Sequence, residues 1–380
     1  MAELEVKVQK IYKIHEHPNA DRLEVSEIQE EGGWMVITGK GQYKEGDLVI
    51  YLPTDTLLSD DIMDSLAKNK VTMKSNRLRA AKIRGVFSEG LCLDPKDWLE
   101  EDQIFEGNDV TKILGLTKYE PKPDNRGFGP NRGKGVNCWA THDGFAKYTD
   151  IRRIQTNPGC FKGKEVVATI KVHGTNHRCG VLTKEKFSWW EKIKNFFNLS
   201  HPMDKKEFFV GSHKTIRGIG KKADPNIVKN TDTYWKVAIK YDLEDKLKAI
   251  SIENDFADVI IYGEAYGGNI QKGYSYGIPP GEVAYLAFDI MINGKYVDYS
   301  TFKGICTIYN IPTVKEVFRG KYDPKIHELA QVKDTIGDWT GDREGIVIKT
   351  VKEERDVMGR NIKKVINPNY LLKKSNTDFH

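Results

Sequence analysis

Cysteine is scarce in this sequence and unpaired by pattern: Cys92, Cys138, Cys160, Cys179 and Cys306 are odd in number, widely spread over 380 residues and never in a C-x-x-C arrangement. That argues against a disulfide framework and against a structural zinc site, and leaves ordinary reduced thiols. No apolar run approaches the roughly 20 residues needed to cross a bilayer. Internal repeats and low-complexity tracts are missing. The opening residues Met1-Ala2-Glu3-Leu4-Glu5 supply neither the basic nor the apolar region of a secretory signal, so the expectation is a cytoplasmic protein with no membrane partner. A strong charge bias is lacking too: 59 Lys and Arg face 54 Asp and Glu, and the resulting +5 on a chain this long decides nothing about partners. What is present, 39% hydrophobic and 30% charged residues, is the composition of a soluble globular protein. The length suggests about two or three domains.

From Glu3 to about Asp94 short alternating segments follow one another: Leu4-Glu5-Val6-Lys7-Val8, Leu23 to Ile28, Trp34 to Ile37 and Leu48 to Leu52. Period-two runs separated by Gly, Pro and Asn turns predict β-strands in a small barrel or sandwich. The stretch His17-Pro18-Asn19-Ala20-Asp21-Arg22-Leu23, followed by Gly39 and Gly46-Asp47, resembles the OB-fold modules of several tRNA-binding proteins. Within this region Lys74, Arg77, Arg79, Lys82 and Arg84 fall in 11 residues without an acidic one. Such a strip either faces nucleic-acid phosphates or is a solvated loop, and charge pattern alone leaves both open.

Residues 116–139 read as a linker, because Pro, Gly and basic residues dominate and periodicity fades. Gly129-Pro130-Asn131-Arg132-Gly133-Lys134-Gly135 superficially suggests a phosphate loop. It has three residues rather than four between its glycines, and Gly135 replaces the hydroxyl residue that would hold Mg²⁺. Beyond it, strand-like runs at Val166–Ile170, Val259–Tyr262, Val283–Phe288 and Gly345–Ile348 alternate with helical patterns, as in an α+β domain. Phe187 to Phe197 reads as a short amphipathic helix.

Chemistry-bearing residues stand at the ends of these apolar runs, in a fixed order. Lys171-Val172-His173-Gly174-Thr175-Asn176 follows the run ending at Ile170. A lysine at a strand end, with a Gly that lets backbone approach a ligand, suits a nucleophile facing a phosphate. Taken alone the signal is poor, since K-x-x-G recurs at Lys82-Ile83-Arg84-Gly85. It is followed by Tyr262-Gly263-Glu264, Phe288-Asp289-Ile290, Glu344-Gly345-Ile346-Val347-Ile348-Lys349 and Lys363-Lys364-Val365-Ile366. Each piece alone would more often be a strand-end carboxylate or a surface lysine; the ordered set is far harder to obtain by chance.

The ordered set resembles the covalent nucleotidyltransferase superfamily, and within it the ATP-dependent RNA ligases. His173 and Asn176 occupy places where DNA ligases and capping enzymes carry Asp and Arg, and the Lys-x-His-Gly-Thr-Asn form is similar to phage-type ligases that seal RNA nicks. The resemblance implies an α+β protein: an OB-like, RNA-binding β-barrel over 1–115, a linker over 116–139 and a ligase-type adenylyltransferase domain over 140–380. It implies ATP with Mg²⁺ or Mn²⁺ as cofactors, RNA ends in a nicked duplex as partner, and a monomer.

By the same resemblance Lys171 is the nucleophile that carries AMP, while Lys364 and Lys349 place positive charge on the α-phosphate. Glu264 accepts from a ribose hydroxyl, Phe288 stacks on adenine, and Thr169 and Ile170 lie at the adenine edge. His173, Gly174 and Asn176 complete the nucleotide site. Glu344 holds the metal and Asp289 supports the metal or the RNA end. A phosphate-binding cation is expected in Ser212-His213-Lys214-Thr215-Ile216-Arg217, with Arg217 named and Lys214 the alternative. Lys74, Arg77, Arg79, Lys82 and Arg84 form the RNA strip. Family members often separate the last two lysines by one residue, whereas Lys363 and Lys364 are adjacent, so that register stays open by one. The rivals are a capping-type or DNA-joining transferase, and a noncatalytic RNA-binding protein.

Overall fold

The computed structural model describes residues 4–69, 73, 75–119, 136–139, 144–184, 205–219, 224–268, 270–271, 273–336, 339–356 and 359–373. The expected helix at 187–197, the glycine-rich segment at 129–135 and Lys74 lie outside them.

In the N-terminal region alternation becomes burial: along Trp34–Gly39 every second side chain, Trp34, Val36 and Thr38, points inward. The strands form a five-stranded antiparallel sheet in the order Trp34–Gly39, Leu23–Ile28, Lys7–Glu16, Leu48–Leu52, Leu91–Leu93. The first strand serves two neighbours. Its early half pairs with Leu48–Leu52 and its late half with Leu23–Ile28, with a register shift between Ile11 and Lys13 that lets it bend around the barrel. Helix Asp60–Lys68 closes one end, burying Ile62 and Leu66 one turn apart, with Asp60 and Asp61 at its positive end and Lys68 at its negative end.

Both ends of the stretch 116–139 pair with flanking strands. Leu116 is part of the barrel core, and Thr117–Lys118 pairs with Thr56–Leu57, so the N-terminal unit extends beyond 115. Val136–Trp139 pairs with Ile216–Ile219 and therefore belongs to the following sheet.

The second half holds two facing sheets. One has seven strands in the order Val136–Trp139, Ile216–Ile219, Lys206–Ser212, Thr175–Thr183, Val259–Tyr266, Ala284–Ile292, Lys295–Tyr296. Helices Thr233–Lys240, Leu243–Glu253 and Tyr299–Ile308 cover its outer face, packing Trp235, Leu247 and Phe302 on Cys179, Ile261 and Ala287. The other has five strands in the order Arg152–Arg153, Ile362–Ile366, Gly345–Thr350, Glu165–Lys171, Glu316–Lys321. Their inner faces meet where Ile260 and Tyr262 of the first touch Val347 and Ile362 of the second. No helix among the described residues is long and apolar enough to cross a membrane.

The two halves are joined by buried charge. Arg153 of the five-stranded sheet is ion-paired with Glu89 of the barrel and lies over the Trp34 ring. Phe87 and Ala80 of the barrel pack against the cluster containing Tyr274, Tyr276 and Tyr370.

Candidate active site

Strand register decides which charged residues share a surface. Lys171 stands opposite Gly345, Thr169 opposite Val347, and Val347 in turn opposite Lys364. Because side chains alternate along a strand, Lys171, Thr169, Val347, Lys349 and Lys364 lie on one face. Lys363, opposite Ile348, lies on the other, where Ala168, Ile346 and Val365 form a core. Of the two adjacent lysines of the last motif, Lys364 therefore shares the face of Lys171.

At the end of its strand Lys171 meets Glu344, with Nζ 2.6 Å from Oε1. The Glu344 side chain is 1% exposed. The next residue must be glycine, since a Cβ on Gly345 would overlap the Val365 carbonyl oxygen across the ladder. Glu344 Oε2 lies 3.3 Å from His173 Nδ1, and the Tyr370 hydroxyl lies 3.2 Å from the same nitrogen. The His173 ring is boxed by the edges of Tyr274 and Tyr370.

The facing sheet contributes Asn176 and Glu264, which are cross-strand partners. Glu264 Oε1 accepts from the Gly174 N–H at 3.1 Å. Burial pushes the Glu264 carboxyl up to about 8; Lys171 opposes the rise and the charge of Glu344 adds to it. Gly174 is needed for close packing rather than for ligand approach alone, because a Cβ there would overlap the Ala265 carbonyl.

Several other expected residues have partners within the protein. Asp289 is fully buried and accepts from Tyr148 at 2.9 Å and from Arg360 at 2.9 Å, with Lys349 Nζ 3.2 Å away. Burial works to raise the Asp289 carboxyl, but Lys349 and Arg360 outweigh it and hold it below the ordinary value. Burial lowers Lys349, with Asp289 opposing. Lys349 also donates to the Phe288 carbonyl at 3.2 Å. The pair expected to serve a phosphate and a metal thus stands 3.2 Å apart between the sheets. Phe288 is half-buried with its ring against Tyr148 at 4.8 Å. Thr169 is buried, and Ile170 turns its side chain into the cluster of Val172 and Ile366. Arg217 is ion-paired with Asp232 and lies over Tyr234, while Lys214 is exposed in the adjoining turn.

The described members of the basic strip differ in surroundings. Arg77 is paired with Asp55 at 2.6 Å and lies over Tyr119, and Arg79 donates to the Lys373 carbonyl at 2.9 Å. Lys82 and Arg84 are exposed on the hairpin of Ala81–Ile83 and Val86–Ser88. His17 and Asn19 brace its tip, bonding the Ile83 and Arg84 carbonyls at 3.2 and 3.0 Å.

Sequence reasoning missed Arg360, Gln271, Tyr276 and Tyr370. Arg360 stands four before Lys364 but on the separate strand Gly359–Arg360, so alternation alone does not place it. The two tyrosines and Gln271 lie outside every charged motif and are joined to Lys171 only through the fold.

A family model described as RNA ligase matches residues 164–366, and an OB-fold domain model matches residues 5–95. Among solved structures, Naegleria gruberi RNA ligase with PPi is 20% identical with a TM-score of 0.70, over 98% of this chain and 99% of that one. A point variant of the same ligase with ATP and Mn gives a TM-score of 0.70 at 20% identity, over 96% of this chain and 98% of that one. Another variant with AMP and Mn gives 0.69 at 20% identity, over 96% and 97%. At this identity the likeness concerns the fold: a barrel of OB type followed by the two-sheet domain. No curated protein sequence matches the chain.

Proposed function

The chain belongs to the RNA ligase family, and on that premise we propose that it joins RNA 3′-hydroxyl and 5′-phosphate ends at the expense of ATP, through AMP bound to Lys171. The observation that carries this reading is the Lys171–Glu344 pair at 2.6 Å, set between two sheet faces with Lys364 on the lysine's own face.

In the first step the neutral Lys171 amine attacks the α-phosphorus of ATP. An N–P bond forms, the bond to pyrophosphate breaks, and AMP stays on the lysine. AMP then passes to the RNA 5′-phosphate, forming a diphosphate linkage and releasing the amine. Finally the RNA 3′-hydroxyl attacks that 5′-phosphorus, a phosphodiester forms and AMP leaves.

Each residue has a task in this sequence. Lys364 offers positive charge to the α-phosphate as it gains a fifth ligand. Glu264 accepts from a ribose hydroxyl, and Phe288 stacks on the base. Lys349 neutralises Asp289 and, by donating to the Phe288 carbonyl, holds the strand that carries the stacking ring.

The residues present fit a divalent ion. Glu344 is a buried carboxylate beside the nucleophile. Carboxylate oxygen suits Mg²⁺ or Mn²⁺, ions that take much of their shell from substrate phosphates and water. When bound, such an ion supplies positive charge that favours the neutral amine and the departing pyrophosphate. Glu344 would hold it.

The test is an end-joining assay with ATP on a nick whose two ends are varied separately as RNA and DNA. Joining that requires RNA at the nick supports the reading; joining of all-DNA nicks at equal rate favours the DNA-joining rival, and no joining of any end favours the noncatalytic one.

A further inference from the structure

Three polar groups of the backbone just after Lys171 are each held by a side chain. The His173 N–H donates to the Tyr276 hydroxyl at 2.8 Å, the Gly174 N–H donates to Glu264 Oε1 at 3.1 Å, and the Gly174 carbonyl accepts from Gln271 Nε2 at 2.8 Å. Here the chain leaves the strand Glu165–Lys171 and has not yet entered Thr175–Thr183. Side chains therefore supply the partners that a ladder would otherwise give.

Tyr276 makes this contact at a cost. Its φ is +52°, in the left-handed region that bulky residues avoid. Such strain persists where the surroundings over-determine it, and it gathers at functional sites. The surroundings are on the page: the Tyr276 ring is buried, with ring centroids of Trp339 at 4.6 Å, Tyr266 at 5.3 Å and Tyr274 at 5.9 Å. Packing locks the ring and the ring delivers its hydroxyl to His173.

We propose that Tyr276 and Gln271 are positioning residues that fix the backbone at 173–174 and thereby aim the Lys171 amine for attack on the α-phosphorus. Only Val172, itself buried, separates the nucleophile from the pinned residue. A lysine amine swings on a long stem, so its direction depends on where its backbone is held. Glu264 has a nucleotide task as well, whereas the hydrogen bonds of Tyr276 and Gln271 go to the loop. This inference rests on Lys171 being the nucleophile.

The experiment uses the full chain with Tyr276→Phe and Gln271→Ala. It measures the maximal rate of covalent AMP formation, the ATP concentration giving half that rate, and sealing of RNA that already carries a 5′ AMP, a reaction in which Lys171 forms no bond. A displacement of about 1 Å can cost about 10²-fold in rate, so each variant should lose about 10- to 100-fold in the first quantity and keep the other two within about twofold. A residue that only supports folding would lower both reactions together. Equal losses in both reactions, or covalent AMP formation at the wild-type rate in both variants, would overturn the proposal. If Tyr276→Phe does not fold, Gln271→Ala, a change in a half-buried loop residue, decides it alone. Wild-type protein that takes up no AMP would instead overturn the nucleophile reading beneath it.

Discussion

Lys171 Nζ and Glu344 Oε1 are 2.6 Å apart, and the carboxylate that the lysine meets is shut away from solvent. A buried pair of this kind is costly to break, because removing one partner leaves the other charge without compensation. Glu344→Gln should therefore act twice: stability should fall by about 3–5 kcal/mol in denaturant unfolding. The rate of covalent AMP formation should fall by about 10²-fold or more in the folded fraction. Wild-type rates in the variant would remove Glu344 from the mechanism.

Lys364 and Lys363 are neighbours on opposite faces of one strand, and both are buried. Lys364→Ala should reduce covalent AMP formation by about 10²-fold with little change in unfolding. Lys363→Ala, on the core side, should show the reverse, a loss seen in melting and a near-normal rate per folded molecule. An exchange of these phenotypes would mean that the strand register is displaced by one.

Glu264 gives a pH signature. Its carboxyl lies at about 8 in the folded chain against an ordinary 4.5, chiefly through burial. Between those values the unfolded chain has lost a proton that the folded chain keeps, so this group lowers stability as pH rises from 4.5 to about 8 and adds nothing beyond. Glu264→Gln should remove that slope in thermal melts across the range, leaving the variant relatively more stable at the upper end. Parallel melting curves for both proteins would contradict the burial of this carboxyl.

Asp289 behaves in the opposite sense. Held below its ordinary value by Lys349 and Arg360 in spite of burial, it contributes stability above the ordinary carboxylate pKa and loses it as pH falls through the lower folded value. Asp289→Asn should cost about 3–5 kcal/mol near neutral pH, since Lys349 loses its buried carboxylate and Arg360 keeps only Glu353, and the difference from wild type should shrink in acid. A constant difference over the whole range would show that Asp289 is not ionised in the fold.

Among the described members of the basic strip, Lys82 and Arg84 are exposed, and Arg77 and Arg79 are tied to protein partners. Replacing Lys82 and Arg84 with Ala should weaken RNA binding and lower the slope of log affinity against log salt by about 1–2, with covalent AMP formation unchanged. Replacing Arg77 should show first in melting. An unchanged salt slope after the Lys82 and Arg84 changes would place the RNA elsewhere.

Much of this was legible in the chain because local rules coincide with the fold. Trp34–Gly39 alternates in the sequence as it does in burial, and Lys171 stands at the end of an apolar run because that run is a central strand. What escaped depends on register between distant segments. Nothing near Lys349 says that its partner is Asp289, 60 positions earlier, and nothing near Tyr370 says that its hydroxyl reaches His173. At the ends of the expected linker, Leu116 and Val136–Trp139 show their role only through partners far along the chain. The lysine choice in the last motif needed the same information, the pairing of Val347 with Lys364.

The central claim is that Lys171 carries AMP. Incubation with ATP labelled in the α-phosphate and Mg²⁺, followed by denaturing separation, tests it most directly. The account predicts an acid-labile label on the wild-type chain, sited at Lys171 by peptide mapping and absent from Lys171→Ala. An unlabelled wild-type chain, a label retained by Lys171→Ala, or a preference for GTP over ATP would contradict it.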